Sequence, residues 1–244
     1  MKYEREINWI KKEKGKVSKN DIERLEKGEP VDYIIGFVDF LGRKIDLSKR
    51  PLIPRPETEY WVNNFIKESG ILNLESRILD MFSGSGCIGI AILKNIKNAR
   101  VDFADADKKY LEQIKINLEL NKIEKNKYRI IKSNIFLNIK AKYNFILANP
   151  PYLAKRKIKR VGESVLKFES SKALFGGDDG LFFIRKFLKD AKNFLEQEAK
   201  IYMEFDSWQK PAIEIILKKN SYKNFEFQKD QYGKWRYVII IFTF

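Results

Sequence analysis

Apolar residues along this chain change their spacing repeatedly, and each change marks an element. The runs 77–82, 100–105, 128–132, 143–148 and 200–204 are rich in apolar and β-branched residues, as expected of strands in a covered sheet. Between them, segments 63–69, 88–96, 108–120, 180–195 and 210–219 place apolar residues three and four apart, which predicts helices. The last two runs, 225–229 and 236–242, have no helix between them and join through Gly233, so they are expected to pair antiparallel. Repeated strand–helix units predict an α/β fold, a mostly parallel sheet with helices on both faces. Upstream the pattern weakens. Residues 1–28 read as a short polar helical segment, with Ser18 or Asn20 capping 21–27 and Gly28-Glu29-Pro30 ending it. Residues 33–48 alternate loosely around Gly36 and Gly42, which suggests a β-hairpin, and 51–56 is a proline-rich stiff loop. The expected division is a helical stub over 1–32, a hairpin linker over 33–54 and the main domain over 55–244.

The chain has 244 residues, 44% hydrophobic and 33% charged, enough for one sizeable globular domain with a small appendage. Its longest apolar stretch, 237–244, falls far short of the roughly 20 residues a membrane helix needs. No apolar signal core follows the N-terminus, and the single cysteine, Cys87, permits no internal disulfide. A cytoplasmic protein, a monomer away from membranes, is expected. There is no histidine, which removes the commonest general base and metal ligand, and no metal is expected. The net charge of +15 has two readings: a partner rich in phosphate or acidic side chains, or the drift of a Lys-, Ile- and Asn-rich composition towards that of an AT-rich genome. One dense basic cluster stands out, Lys155-Arg156-Lys157-Ile158-Lys159-Arg160.

That cluster closely follows the most restrictive segment of the chain, Asn149-Pro150-Pro151-Tyr152. An amide, two prolines and an aromatic cannot continue a central strand, because proline lacks a backbone donor and fixes φ. They make a stiff loop at a strand's carboxyl end, where ligands bind in open α/β sheets. An amide acceptor, fixed carbonyls and a flat ring suit a planar group bearing –NH₂, such as an amide or a nucleobase amine. A second junction is Asp80-Met81-Phe82-Ser83-Gly84-Ser85-Gly86, a glycine-bearing strand-to-helix turn that lets backbone approach a ligand. One strand later Asp105 is placed either to accept two ribose hydroxyls or to cap the helix beginning at 108. Taken in register, the two favour an adenosine-containing cofactor. Pro54-Arg55-Pro56-Glu57-Thr58-Glu59 reads either as a helix start or as a wall of the substrate pocket. Residues 173–181, Ala-Leu-Phe-Gly-Gly-Asp-Asp-Gly-Leu, are turn chemistry ahead of a helix.

In their order along the chain these segments resemble the release-factor glutamine methyltransferase family (HemK/PrmC type). The matching stretches are Gly28-Glu29-Pro30 with 33–36, then 52–59, 80–86, Asp105, 149–152, 173–181, Glu204 with Gln209, and Arg236. The Asn-Pro-Pro-Tyr motif is shared with adenine amino-methyltransferases, whereas 54–59 together with 173–177 is much more particular to the glutamine family. The resemblance implies a class I methyltransferase domain: a Rossmann-like, seven-stranded, mostly parallel sheet with an antiparallel last strand. It implies S-adenosylmethionine as methyl donor and, as acceptor, the glutamine of the Gly-Gly-Gln loop of a peptide chain release factor. By position, Asp80, Phe82, Gly84, Gly86, Asp105, Asn134 and Asn149 would bind the cofactor. Asn149, Pro150, Pro151 and Tyr152 would be catalytic, and Pro54, Arg55, Pro56, Glu57 and Thr58 would join Asn149, Pro150 and Tyr152 in holding the substrate. Phe82 stands where the family commonly has glycine, Asn134 where aspartate is usual, and Asp206 replaces a glycine after Glu204. The segment ahead of residue 28 is short for the family's N-terminal helical domain. Two other functions share these motifs: adenine methylation on nucleic acid, which the basic charge favours, and cofactor binding without catalysis by a paralogue that docks on translation components.

Overall fold

The computed structural model describes residues 3–69 and 75–242; of the segments considered above, 1–2, 70–74 and 243–244 lie outside them. The polar N-terminal segment forms two helices, α1 (Glu4–Lys14) and α2 (Lys19–Glu26). Ser18 caps α2. Its hydroxyl accepts the Asp21 N–H, and the Asp21 carboxylate accepts the Ser18 N–H in return. A third, five-residue helix, α3 (Val31–Ile35), occupies the expected start of the hairpin, and Gly36 (φ 95°) ends it rather than joining a strand. Ile10, Leu25, Ile34 and Ile35 give these helices a small core of their own. The hairpin is confined to β1 (Phe37–Phe40) and β2 (Arg43–Asp46), turning through Leu41 and Gly42. Its Phe40 and Ile45 are buried in the main core.

The next helix, α4 (Pro56–Ser69), starts at Pro56, as the helix-start reading of 54–59 expects and well ahead of 63, where apolar spacing alone would begin it. Proline at the first helical position gives up an N–H that had no partner there, and Glu57 and Glu59 suit the positive end of the helix. This polar first turn carries no apolar period, which is why the pattern misses it.

Strands and helices then alternate as β3 (Ser76–Met81), α5 (Cys87–Asn95), β4 (Ala99–Asp105), α6 (Lys108–Leu120), β5 (Tyr128–Lys132) and β6 (Tyr143–Ala148). Two short helices follow, α7 (Glu163–Phe168) and α8 (Ser171–Leu174), then α9 (Phe182–Asp190). The helix expected over 180–195 is therefore cut short: a 3₁₀ turn at Ala191–Phe194 leads into β7 (Leu195–Glu204), ten residues long. The first half of β7, Glu196-Gln197-Glu198, is exposed and polar, so only 200–204 reads as a strand. The chain closes with α10 (Lys210–Lys219), β8 (Asn224–Lys229) and β9 (Trp235–Ile241).

The seven strands lie in the order β5-β4-β3-β6-β7-β9-β8, with β9 antiparallel to both neighbours and the other pairs parallel. Successive residues of a strand face opposite sides, so Ile78, Val101 and Phe103 pack with α4 and α5 in one core. Leu79, Ala104 and Ile146 pack with α9 and α10 in the other. The winding reverses between β3 and β6, and a cleft opens at the carboxyl ends of such strands. No helix among the described residues is long and apolar enough to cross a membrane.

Candidate active site

A cavity of about 850 Å³ lies at that reversal. Its walls come from the segments following β3 (Phe82, Gly84), β4 (Asp105–Lys108), β5 (Ser133–Ile135) and β6 (Asn149, Pro151). Ala173, Phe175, Phe182 and Phe183 enclose it further.

After β3 the backbone turns through three left-handed residues, Phe82 (φ 61°), Gly84 (φ 53°) and Gly86 (φ 79°). Such a conformation costs a residue with a β-carbon about 1–2 kcal/mol, so glycine is the unstrained choice at position 82. The Phe82 ring packs against Phe183 and Phe187, with centroids 6.1 and 6.2 Å away. Gly84 reaches the cavity, and its N–H donates to the Asp105 carboxylate at 3.0 Å. Gly86 does not line the cavity; a β-carbon there would press on Ile114 of α6 at 3.3 Å. Asp80 is completely buried beneath the turn. One of its oxygens accepts the Gly89 N–H at 3.0 Å, and the other has no hydrogen-bond partner. Burial raises its pKa to about 7.

Asp105 lies at the cavity wall. Its two oxygens accept the N–H groups of Gly84 and Asp107. Burial raises its pKa, against those hydrogen bonds. The cap of α6 is Asp107, which accepts the Lys109 N–H. Asn134 lines the same wall.

Asn149 and Pro151 face the cavity, whereas Pro150 and Tyr152 do not line it. The Tyr152 hydroxyl donates to Glu204 at 2.9 Å, and its carbonyl accepts the Gln209 side-chain amide at 2.9 Å. Residues 173–181 back this loop. A β-carbon on Gly176 would overlap the Pro151 carbonyl, and one on Gly180 the Tyr152 carbonyl. These glycines let two backbones touch, a role that turn chemistry alone does not reveal.

Of residues 54–58, none lines the cavity. Pro54 and Pro56 flank Arg55 at the entry to α4, and Arg55 pairs with Glu169 at 2.6 Å. Glu57 lies 4.0 Å from Arg236. Thr58 is buried behind Asn149: its oxygen accepts the Asn149 amide at 3.3 Å, and its proton goes to Glu204 at 2.7 Å. Glu204 also accepts the Trp61 indole N–H at 2.8 Å. Burial raises the Glu204 pKa, and the hydrogen bonds from Trp61, Thr58 and Tyr152 oppose the rise.

Of the basic cluster only Lys155 lines the cavity, joined there by Lys108, Lys172 and Lys186. Lys157 instead lies over the Trp208 ring, 3.3 Å from its centroid. Leu52, the first residue of the matching stretch 52–59, also reaches the cavity, as do Tyr110 and Phe183, which no local motif marks.

The family model for the methyltransferase small domain matches residues 58–201. A release factor glutamine methyltransferase of Streptococcus pneumoniae is 34% identical over 219 residues, covering 89% of this chain and 77% of the relative. One of Thermodesulfovibrio yellowstonii is 35% identical over 233 residues, covering 95% and 83%. Among solved structures, the ribosomal protein L11 methylase of Lactobacillus delbrueckii subsp. bulgaricus has a TM-score of 0.58 at 16% identity, covering 82% of this chain and 83% of that one. That last likeness is one of fold.

Proposed function

This chain belongs to the release factor glutamine methyltransferase family, and from that premise we propose that it methylates the side-chain amide nitrogen of the Gly-Gly-Gln glutamine in a peptide chain release factor. The observation that carries the proposal is the pairing, across one cavity, of an amide at Asn149 with a carboxylate at Asp105. S-Adenosylmethionine fits these residues. Asp105 would accept the ribose hydroxyls, Gly84 would permit close approach of backbone, Asn134 would hydrogen-bond the adenine, and the Phe82 ring would give an apolar wall. When bound, the cofactor supplies an electrophilic methyl group on a sulfonium.

An amide nitrogen is a poor nucleophile because its lone pair is delocalised into the carbonyl. The protein's task is positioning. The Asn149 oxygen on the cavity wall would accept one N–H of the glutamine amide and fix the direction of its nitrogen, and the Pro150 carbonyl, set back from that wall, would take the other once the substrate is seated. Tyr152 is also set back, its hydroxyl committed to Glu204, so only its ring is left for the substrate. No proton need be removed before transfer, which agrees with a chain that has no histidine. The new N–C bond replaces the S–C bond of the sulfonium, which would leave as a neutral thioether. The nitrogen, then strongly acidic, would lose one N–H proton to solvent. Orientation of this kind is worth several kcal/mol, up to about 7–11 in ideal cases.

The test is incubation with methyl-labelled cofactor and either a release factor or duplex DNA. Label on the release factor, lost when the Gly-Gly-Gln glutamine is replaced, is the expected result. Label on DNA would favour adenine methylation, and cofactor binding without label on either would favour a non-catalytic role. Asn149→Ala is expected to leave cofactor affinity nearly unchanged and to reduce turnover strongly.

A further inference from the structure

The orientation of the Asn149 amide is set from outside the cavity. Thr58 has one hydroxyl proton, and it points to Glu204 Oε2, 2.7 Å away. The same oxygen takes the indole N–H of Trp61 at 2.8 Å, a group that can only donate. The other oxygen takes the Tyr152 hydroxyl at 2.9 Å. Glu204 is 1% exposed, so its partners come from the protein, and Thr58, Trp61 and Tyr152 each face it in the donor sense. Thr58 Oγ1, its proton spent, keeps only lone pairs for Asn149, which stands 3.3 Å away. A carboxamide is nearly symmetric in shape and not in chemistry. Facing an acceptor, Asn149 must turn its –NH₂ to Thr58, and its oxygen is then free of that contact. The flipped amide would set a carbonyl against the Thr58 oxygen and would offer –NH₂ to a substrate that also presents –NH₂.

We propose that Thr58 is a positioning residue for methyl transfer, fixing the Asn149 amide with its oxygen available to the substrate, and that Glu204 is the buried anchor that gives Thr58 its polarity. The inference rests on the methyl-transfer function proposed above. It assigns Glu204 a different role from that of a base: its contacts are Thr58, Trp61 and Tyr152, and it does not line the cavity.

The test uses the full chain with Thr58→Val, which replaces the hydroxyl by a methyl group of similar size, and Thr58→Ser, which restores it. Two readouts are taken. One is the side-chain amide signal of Asn149 in ¹⁵N-labelled protein, identified by its loss in Asn149→Ala. The other is steady-state methylation of a release factor, with cofactor affinity measured by calorimetry. Thr58→Val is expected to shift the amide signal and to lower kcat about tenfold, the scale of one hydrogen bond. KM for the release factor and cofactor affinity should stay within about twofold, and Thr58→Ser should recover both signal and rate. An amide signal that does not move in Thr58→Val overturns the relay whatever the activity. A signal that moves while kcat holds overturns the positioning role and leaves methyl transfer standing. Wild-type protein that labels no release factor overturns methyl transfer and the positioning role with it, while the amide signal still reports the contact itself.

Discussion

Asp105 accepts two backbone N–H groups and faces the cavity, so it does two jobs with one carboxylate. Asp105→Ala should weaken S-adenosylmethionine binding by about 1.5–3 kcal/mol, roughly ten- to 150-fold, the worth of a charge-assisted hydrogen bond. Asp105→Asn keeps one acceptor and should fall between; calorimetry on the folded variants checks the order. Asp80 makes a different prediction. Its pKa is raised to about 7 by burial, from an ordinary value near 3.8. The folded chain therefore holds that proton where the unfolded chain has lost it. The contribution to stability is complete below about pH 4, is lost as the pH rises to about 7, and is level above that. Asp80→Asn should remove this part of the slope, read from denaturant midpoints between pH 4 and 8. Asp105, Gly84 and Asn149 are legible in the sequence because each sits where a strand stops. The contact of Glu204 with Thr58 is not legible, since it joins positions 146 apart and nothing local marks it.

The elements that sequence pattern finds best are those buried on a continuous face. Helix α10 falls on 210–219, and β5 and β6 on 128–132 and 143–148, as their apolar periods predict. The pattern fails where an element begins in solvent. Neither Pro56-Glu57-Thr58-Glu59 in α4 nor Glu196-Gln197-Glu198 in β7 repeats an apolar position, although both belong to regular structure. That turn of α4, marked by its proline and acidic residues rather than by apolar spacing, is the one that brings Thr58 to Asn149. Between elements, Gly180 leaves no room for a β-carbon beside the loop after β6. Gly180→Ala meets the Tyr152 carbonyl and strains a backbone at φ 74°. It should cost more than about 1 kcal/mol of stability and lower turnover by moving Asn149. Thermal melts and rates measured together check both effects; a stable variant of normal rate would mean the two backbones are free to part.

At the scale of the molecule, charge decides encounter more than chemistry. Lys108, Lys155, Lys172 and Lys186 reach the cavity on a chain of net charge +15. Under the proposed function they steer an acidic partner surface, and screening weakens exposed charges beyond about 8–10 Å at physiological salt. Reversing Lys157, Lys159 and Arg160 to glutamate, outside the cavity wall, should lower kcat/KM for the release factor and flatten its dependence on salt. Cofactor affinity should not change. Initial rates across a salt series check this, and an unaltered slope would place the docking face elsewhere.

The sheet order has a consequence for how the chain is made. Strand β9 is the last to leave the ribosome among the described elements, yet it lies between β7 and β8. Until it arrives, β7 presents an open edge and β8 has no strand to join, the state in which a nascent chain is most apt to pair with the wrong neighbour. A product cut short before Trp235 would lose two strands rather than one, because among the described residues β9 is the strand that β8 pairs with. It would also uncover the end of β7, where Glu204 stands in register with Tyr237. Completing the outer sheet and closing over that carboxylate are thus a single late event in biogenesis.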